Sequence, residues 1–468
     1  MSFFIRKRNK NSAPTKTKSR SSKTSVPGNS QKINTSKLVG SEDEEILSDS
    51  DVELGDDVNK RKLADVTSSE DDEETAQEKR LRLAKKYLSQ LEEETELGDD
   101  DVTGGTVSDR LKEAILEQSG KLRKSVASTY QPPSTDHIRI CNGHKLSVTC
   151  AVITPDDKFV FTGSKDCTII KWSVSDGKRL HVIPRLPKET ADKNLGHSSH
   201  ILCLAITTDN KLLASGDKNK LILLWNPSNC QLLHTFTGHR DAISGLSFRR
   251  GTHQLFSASL DRSVKIWNAD EMAYVETLFG HQDVITGIDS LTRERAVTSG
   301  GRDGSIRIWK VIEESQLVFH GHSGSIDCVS LIDEEHFVSG ADDNSLAIWS
   351  VMKKKPITLV PSAHSGKPDG QKDSENWISS IATLVHTDFL ASGSKDGSVR
   401  FWECSNNFKN LSQLFSVPVP GFINCLKFSS NGNFLIAAVG QEHRMGRWWH
   451  LKQAKNCLYI IRLNKSSG

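Results

Sequence analysis

The sequence predicts an all-β fold assembled from one repeated unit, and three observations predict it. First, Gly-His pairs recur at Gly143-His144, Gly196-His197, Gly238-His239, Gly280-His281 and Gly321-His322, and His364 follows Ala363 in a sixth unit. Second, a tryptophan follows each His, at Trp172, Trp225, Trp267, Trp309, Trp349 and Trp402. The step is 28 residues in four units, 27 in the fifth and 38 in the sixth. Third, two polar positions keep register. Six residues before each Trp stand Asp166, Asn219, Asp261, Asp303, Asp343 and Asp396; four before those stand Thr162, Ser215, Ser257, Ser299, Ser339 and Ser392. Short apolar stretches such as FVFTG, LLASG and SVKIW surround these markers and read as strands. A period of about 40 residues, held at four points, marks a repeat in which each unit buries its face against the next.

The unit resembles the WD repeat, which implies a β-propeller with four-stranded blades; six units and a degenerate seventh make it seven-bladed. Within that resemblance the His, Ser/Thr, Asp and Trp of a unit form a buried hydrogen-bonded lock. It is assigned to His144, Thr162, Asp166 and Trp172; to His239, Ser257, Asp261 and Trp267; and to His281, Ser299, Asp303 and Trp309. Buried polar groups must be paired, so a Ser/His/Asp trio repeated at fixed register is scaffold and not a catalytic site. Cys150, Cys203 and Cys328 lie six residues after the motif His, where Gly245 and Gly287 also occur, so this is a slot for small inward residues. The seventh unit is degenerate: INCLKFSSNGNFLIAAVG reads as two strands, followed by RWWHL around Trp448 and Trp449. Two segments compete as the last outer strand, HIRIC (137–141), which is favoured, and CLYIIRL (457–463). Pairing the chain ends in this way would remove the open sheet edges. Polar inserts at 184–195 and 365–376 precede first strands and so share one face.

The chain divides into a charged tail (1–75), two amphipathic helices (76–134) and the propeller (135–463). Residues 1–40 carry ten Lys/Arg and no acid, and residues 41–58 carry nine acids and no base. So few large apolar residues cannot offset the entropy of ordering, and the tail is expected to be disordered. Ser41, Ser48, Ser50, Ser68 and Ser69 each have an acid three residues on, which makes them phosphorylation candidates in what is otherwise a solvated spacer. Basic clusters at 6–8, 60–62 and 79–86 suit nuclear import receptors. Leu81, Ala84, Leu88 and Leu91 make one apolar stripe; a second helix starts at Ser108 and carries Leu111, Ile115, Leu116 and Leu122. These helices either pack on the propeller or dock onto a partner.

Composition narrows the function. The 468 residues hold 61 basic and 59 acidic side chains and nine cysteines without a CxxC pair. That argues against a zinc site or disulfide framework and for a reducing compartment. Neither a membrane-length apolar run nor a secretory h-region stands out, and no GxxxxGK[ST] or HExxH motif is present. An enzyme, a metal and a cofactor are therefore not expected.

The turns that carry the motif Asp residues project on one face with the loops after each Gly-His. There Lys145, Lys165, Lys218, Lys220, Arg240, Arg262, Arg302, Lys395 and Arg444 would form a discontinuous basic ring. Such spacing suits several phosphates of a folded RNA, and equally a solvated rim. Lys178-Arg179, Arg249-Arg250, Arg293/Arg295 and Lys353-Lys354-Lys355 mark the other face, and charge does not choose between the two.

Three features in order resemble the WD-repeat subunits of the U3 small nucleolar ribonucleoprotein: the basic/acidic tail, the segment RLRLAKKYLSQLEEE…VSDRLKEAILEQSGKLRKSVA, and a propeller ending in RWWHL. The resemblance covers about residues 79–463. It implies a non-catalytic nuclear and nucleolar scaffold. Its implied partners are the U3 RNA at its B/C motif, a small kink-turn-binding protein, other box C/D subunits and the small-subunit processome that matures 18S ribosomal RNA. The alternative is a protein-only adaptor, such as a ubiquitin-ligase substrate receptor or a chromatin peptide reader. The ligase class often carries Trp-Asp-x-Arg; here Ser173, Asn226, Asn268, Lys310, Ser350 and Glu403 follow the tryptophans.

Overall fold

Short apolar runs bounded by turn residues become strands buried on both sides, because each sheet is covered by a neighbouring sheet on either face. In the first unit Val148–Ile153 is buried along its whole length, and Phe159–Ser164 and Ile169–Ser173 nearly so, whereas the fourth strand, Arg179–Ile183, is mostly exposed. In this computed structural model residues 82, 123–186, 196–365, 376–405, 407–447 and 449–465 are described. The tail (1–75) with its candidate serines, and both expected helices apart from Arg82, lie outside the described residues.

Seven four-stranded antiparallel sheets form the blades of a β-propeller. Their first strands, Val148–Ile153, Ile201–Ile206, Ile243–Phe248, Ile285–Ser290, Ile326–Leu331, Ser380–Thr383 and Phe422–Phe428, pack side by side around a central channel. The core is a series of layers between blades. One holds Val148, Ile170 and Trp172 with Ile436, Ala438 and Leu458, joining blade 1 to blade 7.

Both chain ends build blade 7. Ile138–Asn142 is its outer strand, paired along Cys457–Arg462, which pairs in turn with Phe434–Gly440. The two segments expected to compete therefore sit side by side. The third strand of blade 7 is Cys457–Arg462; the described residues of RWWHL, Arg447 and Trp449–Leu451, precede it outside any named strand.

A second closure precedes it. Asp388, 3% exposed, accepts from the Ser125 hydroxyl and from the amides of Val126 and Ala127 at 2.7–3.0 Å. Arg123 lies over the Phe408 ring and donates to the Cys404 carbonyl. Tyr130 stacks on Phe389 with ring centroids 4.3 Å apart and donates to the Gly432 carbonyl. Residues 123–131 thus strap blades 6 and 7 on the face opposite the Asp turns.

Candidate nucleic-acid interface

In blade 1 the Trp172 indole N–H donates to the Thr162 hydroxyl (2.8 Å), which meets His144 Nε2 (2.7 Å), while His144 Nδ1 meets Asp166 (3.3 Å). With a neutral imidazole the hydroxyl donates to Nε2 and Nδ1–H donates to the carboxylate. The Asp carboxylate also accepts the Lys145 amide, fastening the Gly-His loop to the turn. Burial works against the Asp166 carboxylate, but hydrogen bonds from His144, Thr168 and Lys145 outweigh it and hold its pKa well below the usual range. The glycine of the pair has a steric reason: a Cβ on Gly143 would stand 2.8 Å from the Trp172 ring, and one on Gly321 2.7 Å from Trp349. Blade 3 repeats the arrangement with His239, Ser257, Asp261 and Trp267.

Two blades depart from the register. In blade 4 the Trp309 indole and His281 Nε2 both meet Thr298, at 2.9 and 2.8 Å, and not the expected Ser299. The turn here is one residue longer, so Ser299 falls opposite Gly287 and pairs with the Thr286 hydroxyl. In blade 2 His197 meets Asp217 at 3.1 Å, and Asn219 instead donates to the Ser198 hydroxyl. The carboxylate that seemed missing at Asn219 comes from two residues earlier; the aspartate in SGDKNK was the available signal. The small slot also has a cause. Cys150, Cys203 and Cys328 pair across strands with Gly163, Gly216 and Gly340, where a Cβ would fall within 3.0 Å of the sulfur.

The basic rim is partly assembled. Lys145, Lys218, Lys220, Arg240, Arg262 and Arg302 are exposed and form an arc over blades 1–4. The residue after each motif Asp position adopts left-handed backbone, φ +73° at Lys220 and +70° at Arg262, in the tight turns that carry these side chains. Blade 5 places the half-buried acid Asp342 there instead, which interrupts the ring. Three expected members are engaged within the protein. Lys165 is 6% exposed and ion-paired with Glu442 at 3.2 Å; burial pushes its pKa down despite that partner. Lys395 lies 3.5 Å over the Trp449 ring. Arg444 enters the channel and donates to the carbonyls of Thr286 (2.6 Å) and Asp327 (3.0 Å). Lys165 and Arg444 are therefore not rim charges, because the long blade 7 turn brings an acid to one and carries the other inward. On the opposite face Arg249 pairs with Glu294 and Arg295 with Glu313.

Over blade 1 the rim deepens into a cleft of about 820 Å³. Lys145, Arg179, Arg185 and His200 line it with Leu146, Ile170, Val182 and Pro184. Sequence reasoning assigned Arg179 to the other face and missed Arg185. Arg185 stands at the start of the insert 184–195, so only its proline-rich context (PRLPK) marks it.

Comparison with known proteins bears on the family of the chain. The family model "WD domain, G-beta repeat" matches residues 135–173, 190–226, 230–268, 272–310, 313–350 and 367–403. U3 small nucleolar RNA-interacting protein 2 of Homo sapiens is 58% identical over 400 residues, covering 84% of this chain and 83% of the human protein. Ribosomal RNA-processing protein 9 of Saccharomyces cerevisiae is 24% identical over 508 residues, covering 82% of this chain and 89% of the yeast protein. A solved structure described as "Structure of U3-55K" superposes with a TM-score of 0.68 at 58% identity, covering 71% of this chain and all of that one.

Proposed function

The chain belongs to the WD-repeat family of U3 small nucleolar RNA-interacting proteins, and from that membership we propose that it is a non-catalytic RNA-binding scaffold of the U3 small nucleolar ribonucleoprotein. It acts in small-subunit ribosomal RNA precursor processing in the nucleolus. The observation that carries the reading is the arc of six exposed basic side chains over blades 1–4, on a chain whose relatives are named for U3 RNA and ribosomal RNA processing. Lys and Arg on short turns meet phosphates without an ordering cost at the backbone, and Arg adds a planar fork. The His, Ser and Asp side chains are spent on the blade locks, which leaves the protein to position RNA while the RNA does the guiding. The RNA side of the contact is the B/C motif, held jointly with a small kink-turn-binding protein and other box C/D subunits; the basic clusters of the tail serve nuclear import.

A salt titration of the full chain against a kinked stem-internal RNA tests this. The logarithm of affinity should fall linearly with the logarithm of salt, by about 0.7–0.9 per phosphate neutralised. Affinity indifferent to salt, or a nuclease-resistant association with ubiquitin-ligase subunits, would favour the protein-only adaptor.

A further inference from the structure

We infer that the cleft over blade 1 receives a nucleotide extruded from the RNA, its phosphates held by Lys145, Arg179 and Arg185 and its base laid against Leu146, Val182 and Pro184; this rests on the RNA-binding reading above. Four observations carry it. The volume, about 820 Å³, lies within the range of roughly 300–1,000 Å³ typical of small-ligand sites, so the cleft is more than a groove for a backbone. Among the described residues its uncommitted charge has one sign. Asp166, the one acid among the described lining residues, is committed to His144, Lys145 and Thr168, and Lys165 is neutralised by Glu442. The floor is apolar where the walls are basic. Leu146 is 37% exposed beside Lys145, and Val182 and Pro184 lie along the chain from Arg179 to Arg185. The walls are also fixed. The Lys145 amide is tied to Asp166, the Leu186 amide to the His197 carbonyl, and His200 Nδ1 lies at 2.5 Å from the Lys165 carbonyl, so the site is built before any ligand arrives.

The pairing of charged walls with an apolar floor separates this cleft from the rest of the arc. Lys218, Arg240 and Arg262 stand on turns and can neutralise phosphates of any helix. A cavity with an apolar face instead rewards a base removed from its stack, which is how proteins read RNA locally.

The test uses the full chain and two labelled RNA hairpins of equal length, one with a single bulged uridine and one fully paired. Wild type should bind the bulged hairpin about tenfold more tightly. The double variant Lys145→Glu/Arg185→Glu should lose that preference along with at least tenfold in affinity. The rim pair Arg262→Glu/Arg302→Glu should weaken both hairpins alike. Leu146→Gln, which leaves the charge unchanged but spoils the floor, should lose the preference and retain the affinity for the paired hairpin. Matching thermal unfolding curves establish that these exposed changes leave the fold intact. If the rim pair weakens binding and the cleft pair does not, or if the cleft pair keeps the preference for the bulge, the cleft is not a nucleotide site while the RNA reading stands. If wild type binds neither hairpin, the RNA reading itself falls and the cleft assignment with it.

Discussion

Arg444 of blade 7 donates through its guanidinium to the main-chain carbonyl of Asp327 in blade 5 at 3.0 Å, and the same nitrogen reaches the Thr286 carbonyl of blade 4 at 2.6 Å. One side chain of the blade 7 turn thus ties two inner strands together across the channel, near the face that carries the Asp turns. The blade that has lost the common lock fastens itself with Arg444 and with Asn424, whose amide donates to the Val148 carbonyl of blade 1.

Arg444→Met should therefore destabilise the whole ring. Two charge-assisted bonds disappear, at about 1.5–3 kcal/mol each before relaxation. A loss of roughly 2–4 kcal/mol in chemical denaturation, with the RNA salt slope unchanged, is the expected result.

Asp327 adds a pH dependence. Burial pushes its carboxyl up to about 7, with Arg444 pulling the other way. A carboxyl raised in the folded state contributes stability that is complete below the unfolded value of about 3.9 and is lost as pH rises through about 7. Asp327→Asn should raise Tm relative to wild type by an amount that grows from pH 4 to pH 7 and is flat above. An equal shift at every pH would contradict this.

His253 titrates in the same sense. Partial burial disfavours its charged form, but hydrogen bonds with Asp270 and Asp209 outweigh that and raise its pKa. The contacts join the turns of blades 2 and 3. Their stabilisation is full below about 6.5 and lost as pH rises through the raised value. The Tm difference between wild type and His253→Gln should accordingly be larger at pH 6 than at pH 9.

Blade 4 separates the two neighbouring hydroxyls. Thr298→Ala orphans the Trp309 N–H and His281 Nε2, both buried, and should cost about 2–4 kcal/mol. Ser299→Ala removes only the bond to Thr286 and should cost about 1 kcal/mol. Paired urea titrations of the two variants decide which residue closes the lock.

One buried carboxylate, Asp388, accepts three of the hydrogen bonds from the strap at 123–131. Asp388→Ala leaves the amides of Val126 and Ala127 without their acceptor. Limited proteolysis should then cleave within 123–131 at a protease concentration that leaves wild type whole, with a modest fall in Tm.

The sequence by itself determined the repeat, the seven blades and which His, Asp and Trp residues are structural. Each lock closes within one unit, so its geometry is written as spacing along the chain. Even the exceptions at Thr298 and Asp217 are shifts of one or two positions. The outer strand of blade 7 was legible too, as the favoured candidate HIRIC. Only the tertiary structure decided that Cys457–Arg462 lies beside it, that Lys165 is neutralised by Glu442 from 277 residues away, that Arg444 turns inward, and that Arg179 and Arg185 meet Lys145 in one cleft. Those fates depend on blade 7 closing against blade 1 and on the lateral packing of turns. A charge read along the chain carries its sign, but whether it faces water or a partner is set by residues that only ring closure brings near.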